Sequence, residues 1–388
     1  MDPEDVQQRL EKIHCSGESE CRFKFWTSAE TYSPSSHNVW LDESVHAAKL
    51  ACLVDNSKDP KRCPRIVAIT TVGDPSAKHS HIHMLPRCIL SVMDQLGITS
   101  YASHLFTEQI FHLSRHTLYD EQTDKPIALI LLLRVPRNSQ CIQAIIRIDI
   151  ASMSTVFFLA ASDESIAEGL HRRIATSSPL LLGNPLFVLT FILEQKLAKY
   201  WAETEVLKRE VNQVETATGM VRPSWRTHLS SESKERLADF NGQLEQLHAS
   251  HMDLCHQQVI IAYMLDLGGF CFKTCKVLDD LRLELGLAGF SKHQSAKYLE
   301  HAEFITSRLK YVQLRVQECI DRLRTQVNVV FSQIAQRDSN INLGVARDSQ
   351  RVARIAAKDS NVDEDYYGFD PCLSAPVANY VHLECWYL

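Results

Sequence analysis

Apolar residues recur through the C-terminal third of the chain at Ile305, Leu309, Val312, Val316, Ile320, Leu323, Val327, Val330, Ile334, Ile341, Val345, Val352 and Ile355. The steps are threes, fours and sevens, which line one side of an α-helix. Ser291, with Gln294 three residues on, has the pattern of a capping box. No Pro occurs from Ser224 to Asp370, and Gly344 is the only Gly between Ser291 and Ser360. The pattern predicts one helix over residues 291–360. At 1.5 Å per residue it would be roughly 90–100 Å long. A compact domain needs no such length, so the helix is expected to pack against other copies or to reach something distant.

Upstream the periodicity changes. Residues 61–178 read as an α/β domain. Ile66–Val72, Ile127–Val135, Cys141–Ile150 and Thr155–Ala160 are strand candidates, and Ile127–Val135 has the continuous apolar run of a strand covered on both faces. In Cys141–Ile150 the apolar positions alternate with Gln143, Arg147 and Asp149. Helices are expected over Leu85–Leu96 and Ser162–Ala175.

Residues 179–290 read as a helical layer. Asn184 and Pro185 open one helix, which stops near Gly219. A second starts near Ser231 and is broken or kinked at Gly268-Gly269. A third covers Phe270–Leu285. Eleven of the thirteen Pro precede residue 224, which marks the shift from α/β to all-helix. Residues 1–60 form a partly ordered arm, and 361–388 an irregular acidic tail. The expected class is therefore mixed α+β: an N-terminal α/β domain, a helical layer and one long stalk helix.

The last third of the stalk carries Arg337-Asp338-Ser339, Arg347-Asp348-Ser349 and Lys358-Asp359-Ser360, spaced by 10 and 11 residues. Such a period keeps the repeats near one helix face. Asp338 and Asp348 fall in or beside the apolar stripe, which suits an assembly with a wet centre. A solvated face with local ion pairs would have the same spacing.

The run Gln326-Val327-Asn328-Val329-Val330-Phe331, then Ile334-Ala335-Gln336-Arg337-Asp338-Ser339, then Ala346-Arg347-Asp348-Ser349 and Lys358-Asp359-Ser360, resembles the stalk helix of the fungal CorA-like divalent-metal transporters. In that family the helix leaves a cytosolic body and enters the first membrane span. Members bind divalent cations between cytosolic domains, and metal loss opens the pore. The resemblance implies Mg2+ as the ion, a homo-oligomer or co-assembly with full-length relatives, and no catalysis. Asp338, Asp348 and Asp359 are the candidate metal positions, since a hard cation takes carboxylate and water oxygens. Val327, Val330, Ile334, Ile341, Val345 and Val352 are the candidate stalk-packing positions.

The chain departs from the family after Ser360. No stretch of about 20 apolar residues follows, and the Gly-Met-Asn triplet of CorA proteins is missing. The expectation is a cytosolic part, truncated before the spans, non-conducting alone and regulatory through co-assembly. The competing expectation is a soluble helical interaction scaffold without a transport role.

Charge and composition narrow this little further. Net charge is −6, from 41 basic and 47 acidic residues, which leaves no nucleic-acid footprint. Met1 to Arg22 is polar, and the 12 Cys lack paired spacing, which reads as reduced thiols in the cytoplasm. Phosphate-loop, dinucleotide and nucleophile-elbow motifs are absent. Three smaller groups carry ligand-type residues: His79, His81 and His83 on alternate positions; His248, His251 and Cys255 along one helix side; and Cys271 with Cys275. Solvated or core roles are the simpler reading for each. Asp279 and Asp280 read as a solvated face.

Overall fold

Strand-forming runs of β-branched and aromatic residues come first in the chain, and uninterrupted helix formers follow. The computed structural model describes residues 23–27, 40–41, 66–74, 81–82, 93–94, 96–98, 111–135, 141–161, 163–218 and 240–366. The strands are β1 (Phe23–Thr27), β2 (Trp40–Leu41), β3 (Ile66–Asp74), β4 (His81–Ile82), β5 (His112–Tyr119), β6 (Pro126–Val135), β7 (Ile142–Asp149) and β8 (Thr155–Ala161). Five helices follow: α1 (Glu164–Thr176), α2 (Ser178–Gly183), α3 (Phe187–Ala217), α4 (Phe240–Glu284) and α5 (Lys292–Tyr366). The mixed α+β class and the long C-terminal helix are as the pattern predicts.

The sheet order is β2-β1-β3-β8-β7-β6-β5, with β4 paired to β3. Strands β5 to β8 form an antiparallel meander, and β3 joins it by pairing parallel to β8. That one parallel pair makes the sheet mixed. The central strands are buried on both faces, so the alternation in β7 does not mark a wet side. Gln143 and Arg147 are buried. Arg147 Nη1 donates to the Leu96 carbonyl at 2.8 Å and its guanidinium pairs with Asp149 at 3.5 Å. The segment around residues 93–98 thus covers the polar side of β7.

Asp163 caps α1 by accepting from the Ser165 and Ile166 amides, which satisfies two donors of the first turn. Asn184 Oδ1 accepts from the Leu186 amide at 3.0 Å and sets the entry to α3. Residues 184–193 are buried all round, which accounts for the apolar density of that window. Two units divide the chain, Met1–Gln326 and Val327–Leu388.

Expectations are overturned at Gly268-Gly269, at Asp279 and at the end of the stalk helix. Gly268-Gly269 does not break the helical layer; α4 runs through both as one 45-residue helix. Gly268 is there for packing. A Cβ at that position would come within 2.5 Å of Thr306 Oγ1 on α5. The hydroxyl is held in place by donating to the Ala302 carbonyl at 2.7 Å. The true stop is at Gly286, whose φ of 71° suits Gly. There the Gly286 amide bonds Leu283 O and the Leu287 amide bonds Arg282 O, a Schellman closure. Asp279 is also not merely solvated, because its Oδ1 accepts from the Phe290 amide at 2.9 Å and holds the α4–α5 turn.

Helix α5 begins as expected: the Gln294 amide donates to Ser291 Oγ at 3.2 Å. The Gln294 carboxamide lies against Gly183. At its other end the helix continues to Tyr366, beyond the expected 360. Residues 361–366 contain neither Gly nor Pro, and the first breakers are Gly368 and Pro371. The expected helix start near Ser231 and the helix residues 85–92 lie outside the described residues, as do residues 367–388.

Lys196 on α3 is 2% exposed. Burial, followed by the neighbouring Lys199 charge, lowers its amine to about 8; Cys141, Glu203 and Asp163 pull the other way. Below pH 8 both native and unfolded chains carry the charge, and the native state bears the full cost of burying it. Between pH 8 and about 10.5 only the unfolded amine stays protonated, so this group favours folding more as pH rises. The shift corresponds to roughly 3 kcal/mol. Cys271 and Cys275 are buried thiols raised to about 12 and about 11, and they act in the opposite sense above pH 9.

Two predictions follow from this packing. Gly268→Ala should lower stability by about 1–3 kcal/mol through overpacking, and Thr306→Ala in the same chain should restore it; denaturant unfolding of the three variants reads this. Lys196→Met should unfold at a higher temperature than the unsubstituted chain at pH 7. That advantage should shrink by pH 10, and a pH-independent difference would refute the buried-charge account.

Candidate functional site

The stalk stripe behaves differently in the two units. In the first, Tyr298, Ala302, Ile305, Leu309, Val312, Val316, Ile320 and Leu323 are buried. Each fully buried large aliphatic contributes roughly 1.5–3 kcal/mol. Phe187 of α3 meets Tyr298 edge-on with centroids 5.4 Å apart, and Trp201 stacks on Tyr311 at 5.8 Å. Polar ties flank the apolar ones. His301 Nε2 lies 2.7 Å from Glu194 Oε1, and Arg173 of α1 pairs with the same carboxylate. Burial, the largest single influence, pushes the Glu194 carboxyl up, but the His301 hydrogen bond and the Arg173, His301 and Arg308 charges together outweigh it and hold the group below the usual carboxylate range.

A polar clamp closes this stretch. Arg322 donates from Nε and Nη2 to the two Glu215 oxygens at 2.8 and 2.6 Å, and also reaches Asn212 Oδ1. Thr218 Oγ1 donates to Gln326 Oε1 at 2.7 Å, with both residues buried. The bidentate bond to Glu215 raises the Arg322 guanidinium pKa further. Sequence reading missed these residues. Arg322 and Gln326 stand one turn apart, beside the stripe, and α3 ends in Asn212, Glu215 and Thr218 at i, i+3 and i+6. That polar spacing was the available signal.

In the second unit the stripe keeps its period and loses its cover. Val330 is buried and Val327 and Ile334 are half-buried. Ile341, Val345, Val352 and Ile355 are 52%, 59%, 65% and 57% exposed. Of the candidate metal positions, Asp338 and Asp348 are exposed, while the Asp359 side chain lies outside the described residues. Ten residues of helix separate Asp338 from Asp348 by about 15 Å, too far for one ion to bridge. At about 100° per residue, Asp348 and Asp359 stand within about 20° of each other around the helix. Asp338 is turned about 80° from Asp348. Asp348 lies in the apolar stripe itself, seven residues from both Ile341 and Ile355. Within one chain the Asp338 and Asp348 carboxylates do not converge.

The smaller candidate groups do not assemble either. Among the described residues no three His, Cys, Asp or Glu side chains converge as a metal cage. Cys255 Sγ lies 3.8 Å from the His251 ring, and His248 is exposed. Cys271 and Cys275 are core thiols. Of the His79, His81 and His83 run, only the His81 backbone is described, in β4 opposite Asp74. A half-open groove of about 400 Å³ between α1, α3 and α5 is lined by Arg173, Phe191, Glu194, Gln195, Phe304 and Arg308.

No helix among the described residues is long and apolar enough to cross a membrane. No family model matches the chain, and no curated protein matches it. Among solved structures, the chain is similar to the ZntB cytoplasmic domain from Vibrio parahaemolyticus RIMD 2210633. The identity is 9%, the TM-score is 0.32, and the match covers 69% of this chain and 89% of that one. A likeness of that degree carries no argument about function.

Proposed function

We propose that the chain serves as the cytosolic, ion-responsive portion of an assembly resembling the fungal CorA-like divalent-cation transporters. Copies meet along the distal stripe of α5, among themselves or with full-length relatives that supply the conducting spans. The observation that carries this reading is the unchanged stripe period across a change in cover. Four β-branched residues at helical spacing, each more than half exposed, form an apolar seam that water disfavours. The stalk motif from Gln326 to Ser360 supports the family, and the helix continuing to Tyr366 supports a stalk.

The carboxylates then act through symmetry. Rings of Asp348 and Asp359 around a shared axis concentrate negative charge where each chain alone has one carboxylate per level. Mg2+ keeps several waters and needs only one or two carboxylates, so a wet axis suits it. Bound Mg2+ offsets the repulsion within each ring, and its loss loosens the bundle. Asp338 stands off this line and contributes less.

Light scattering on the purified chain with Mg2+ or with EDTA tests the association. The expected result is a larger mass with Mg2+, lost in the double variant Ile341→Ser, Val352→Ser. Isothermal titration should show Mg2+ affinity falling more in Asp348→Asn than in Asp338→Asn. A monomer indifferent to Mg2+, with no binding heat in any variant, favours the soluble interaction scaffold instead.

A further inference from the structure

The basic residues of α5 keep one place beside its stripe. In the first unit His301, Arg308, Arg315 and Arg322 each stand one residue before a buried stripe position: Ala302, Leu309, Val316 and Leu323. In the second, Arg347, Arg351, Arg354 and Lys358 directly precede Asp348, Val352, Ile355 and Asp359. One residue is about 100° of turn, so each set flanks the stripe on its leading side. In the first unit α3 lies against the stripe and meets that flank with carboxylates. Glu194 pairs with His301 and Glu215 with Arg322, both across 107 residues of chain, so the two helices run parallel. Each carboxylate stands one residue after a buried apolar position of α3, Leu193 or Val214. In parallel helices the leading flank of one meets the trailing flank of the other, and here that join is basic against acidic.

The second unit repeats the leading flank without that partner. Arg347, Arg351, Arg354 and Lys358 are exposed and form no ion pair with another described side chain. A second copy does not supply the missing charge. Its trailing flank, one residue after each stripe position, is Asn342, Ala346, Ser349, Ala353 and Ala356. A parallel copy therefore sets neutral side chains against the cations, and an antiparallel copy sets cations against cations. We propose that the distal stripe binds a parallel helix of different sequence, whose Asp or Glu residues stand one position after its apolar seam, as Glu194 and Glu215 do on α3. That assignment rests on the reading above that another helix covers the stripe, and it names the chemistry of that helix. Such a partner gains seam burial and ion pairs together, so it is preferred over a second copy. Asp348 interrupts the apolar band, which weighs against a lipid surface as the occupant.

Fluorescence anisotropy of dye-bearing four-heptad peptides with the full chain tests this. Two peptides share one apolar seam and one net charge. The first carries Glu one residue after its seam positions, and the second carries the same number of Glu on its outer face. The first should bind about tenfold more tightly at low salt. That preference should vanish at about 1 M salt and in the chain variant Arg351→Glu, Lys358→Glu. Equal binding of both peptides, or of neither, overturns the inference, while self-association in light scattering would leave the association reading standing. A chain that binds neither peptide and does not self-associate overturns both. Co-sedimentation with phosphatidylserine vesicles, abolished in the same variant and without a preference between the peptides, assigns the flank to a lipid surface and overturns the proposal as well.

Discussion

Helix α5 carries an apolar stripe that is satisfied along only part of its length. From Tyr298 to Leu323 the stripe is buried, and the His301–Glu194–Arg173 and Arg322–Glu215 groups fix its rotation. Burial supplies the energy and the charged groups supply the register. From Ile341 onward the residue types and spacing are the same, yet the side chains face water. Everything inferred about association rests on that contrast.

Periodicity made the fold legible where one force dominates. The strands over Ile66–Val72, Ile127–Val135 and Thr155–Ala160 were readable because runs buried on both faces are dense in apolar and β-branched residues. The stalk was readable because a single face repeats for fifty residues. Strand β5 was not. His112-Leu113-Ser114-Arg115-His116-Thr117 alternates, but its apolar positions are too few to separate it from a polar loop. The Gly268-Gly269 pair misled because a helix-weakening residue type has two physical uses. Only the close approach of Thr306 shows that packing, and not chain breaking, explains Gly268.

The candidate site was legible as a spacing of carboxylates and less so as a geometry. The Asp repeat is plain in sequence, but its meaning depends on angle. A 10-residue step turns Asp338 aside and an 11-residue step keeps Asp359 in line with Asp348. Contacts between elements far apart in the chain leave at most a faint local trace, here the polar spacing at the end of α3. Glu215 and Arg322 are 107 residues apart, and each looks like an ordinary helix-surface charge. The same holds for Tyr263, whose hydroxyl donates to the His112 carbonyl across 151 residues.

The parallel pairing of β3 with β8 has a consequence for the order in which the molecule forms. Ile66 must find Thr155 and Val67 must find Val156, closing a loop of nearly ninety residues. Strands β5 to β8 need only short hairpin connections and can zip up as soon as they exist. Loop-closure entropy therefore makes β3 a late arrival. On a ribosome it would leave the exit tunnel first and wait, with its apolar residues uncovered, until the meander presents an edge.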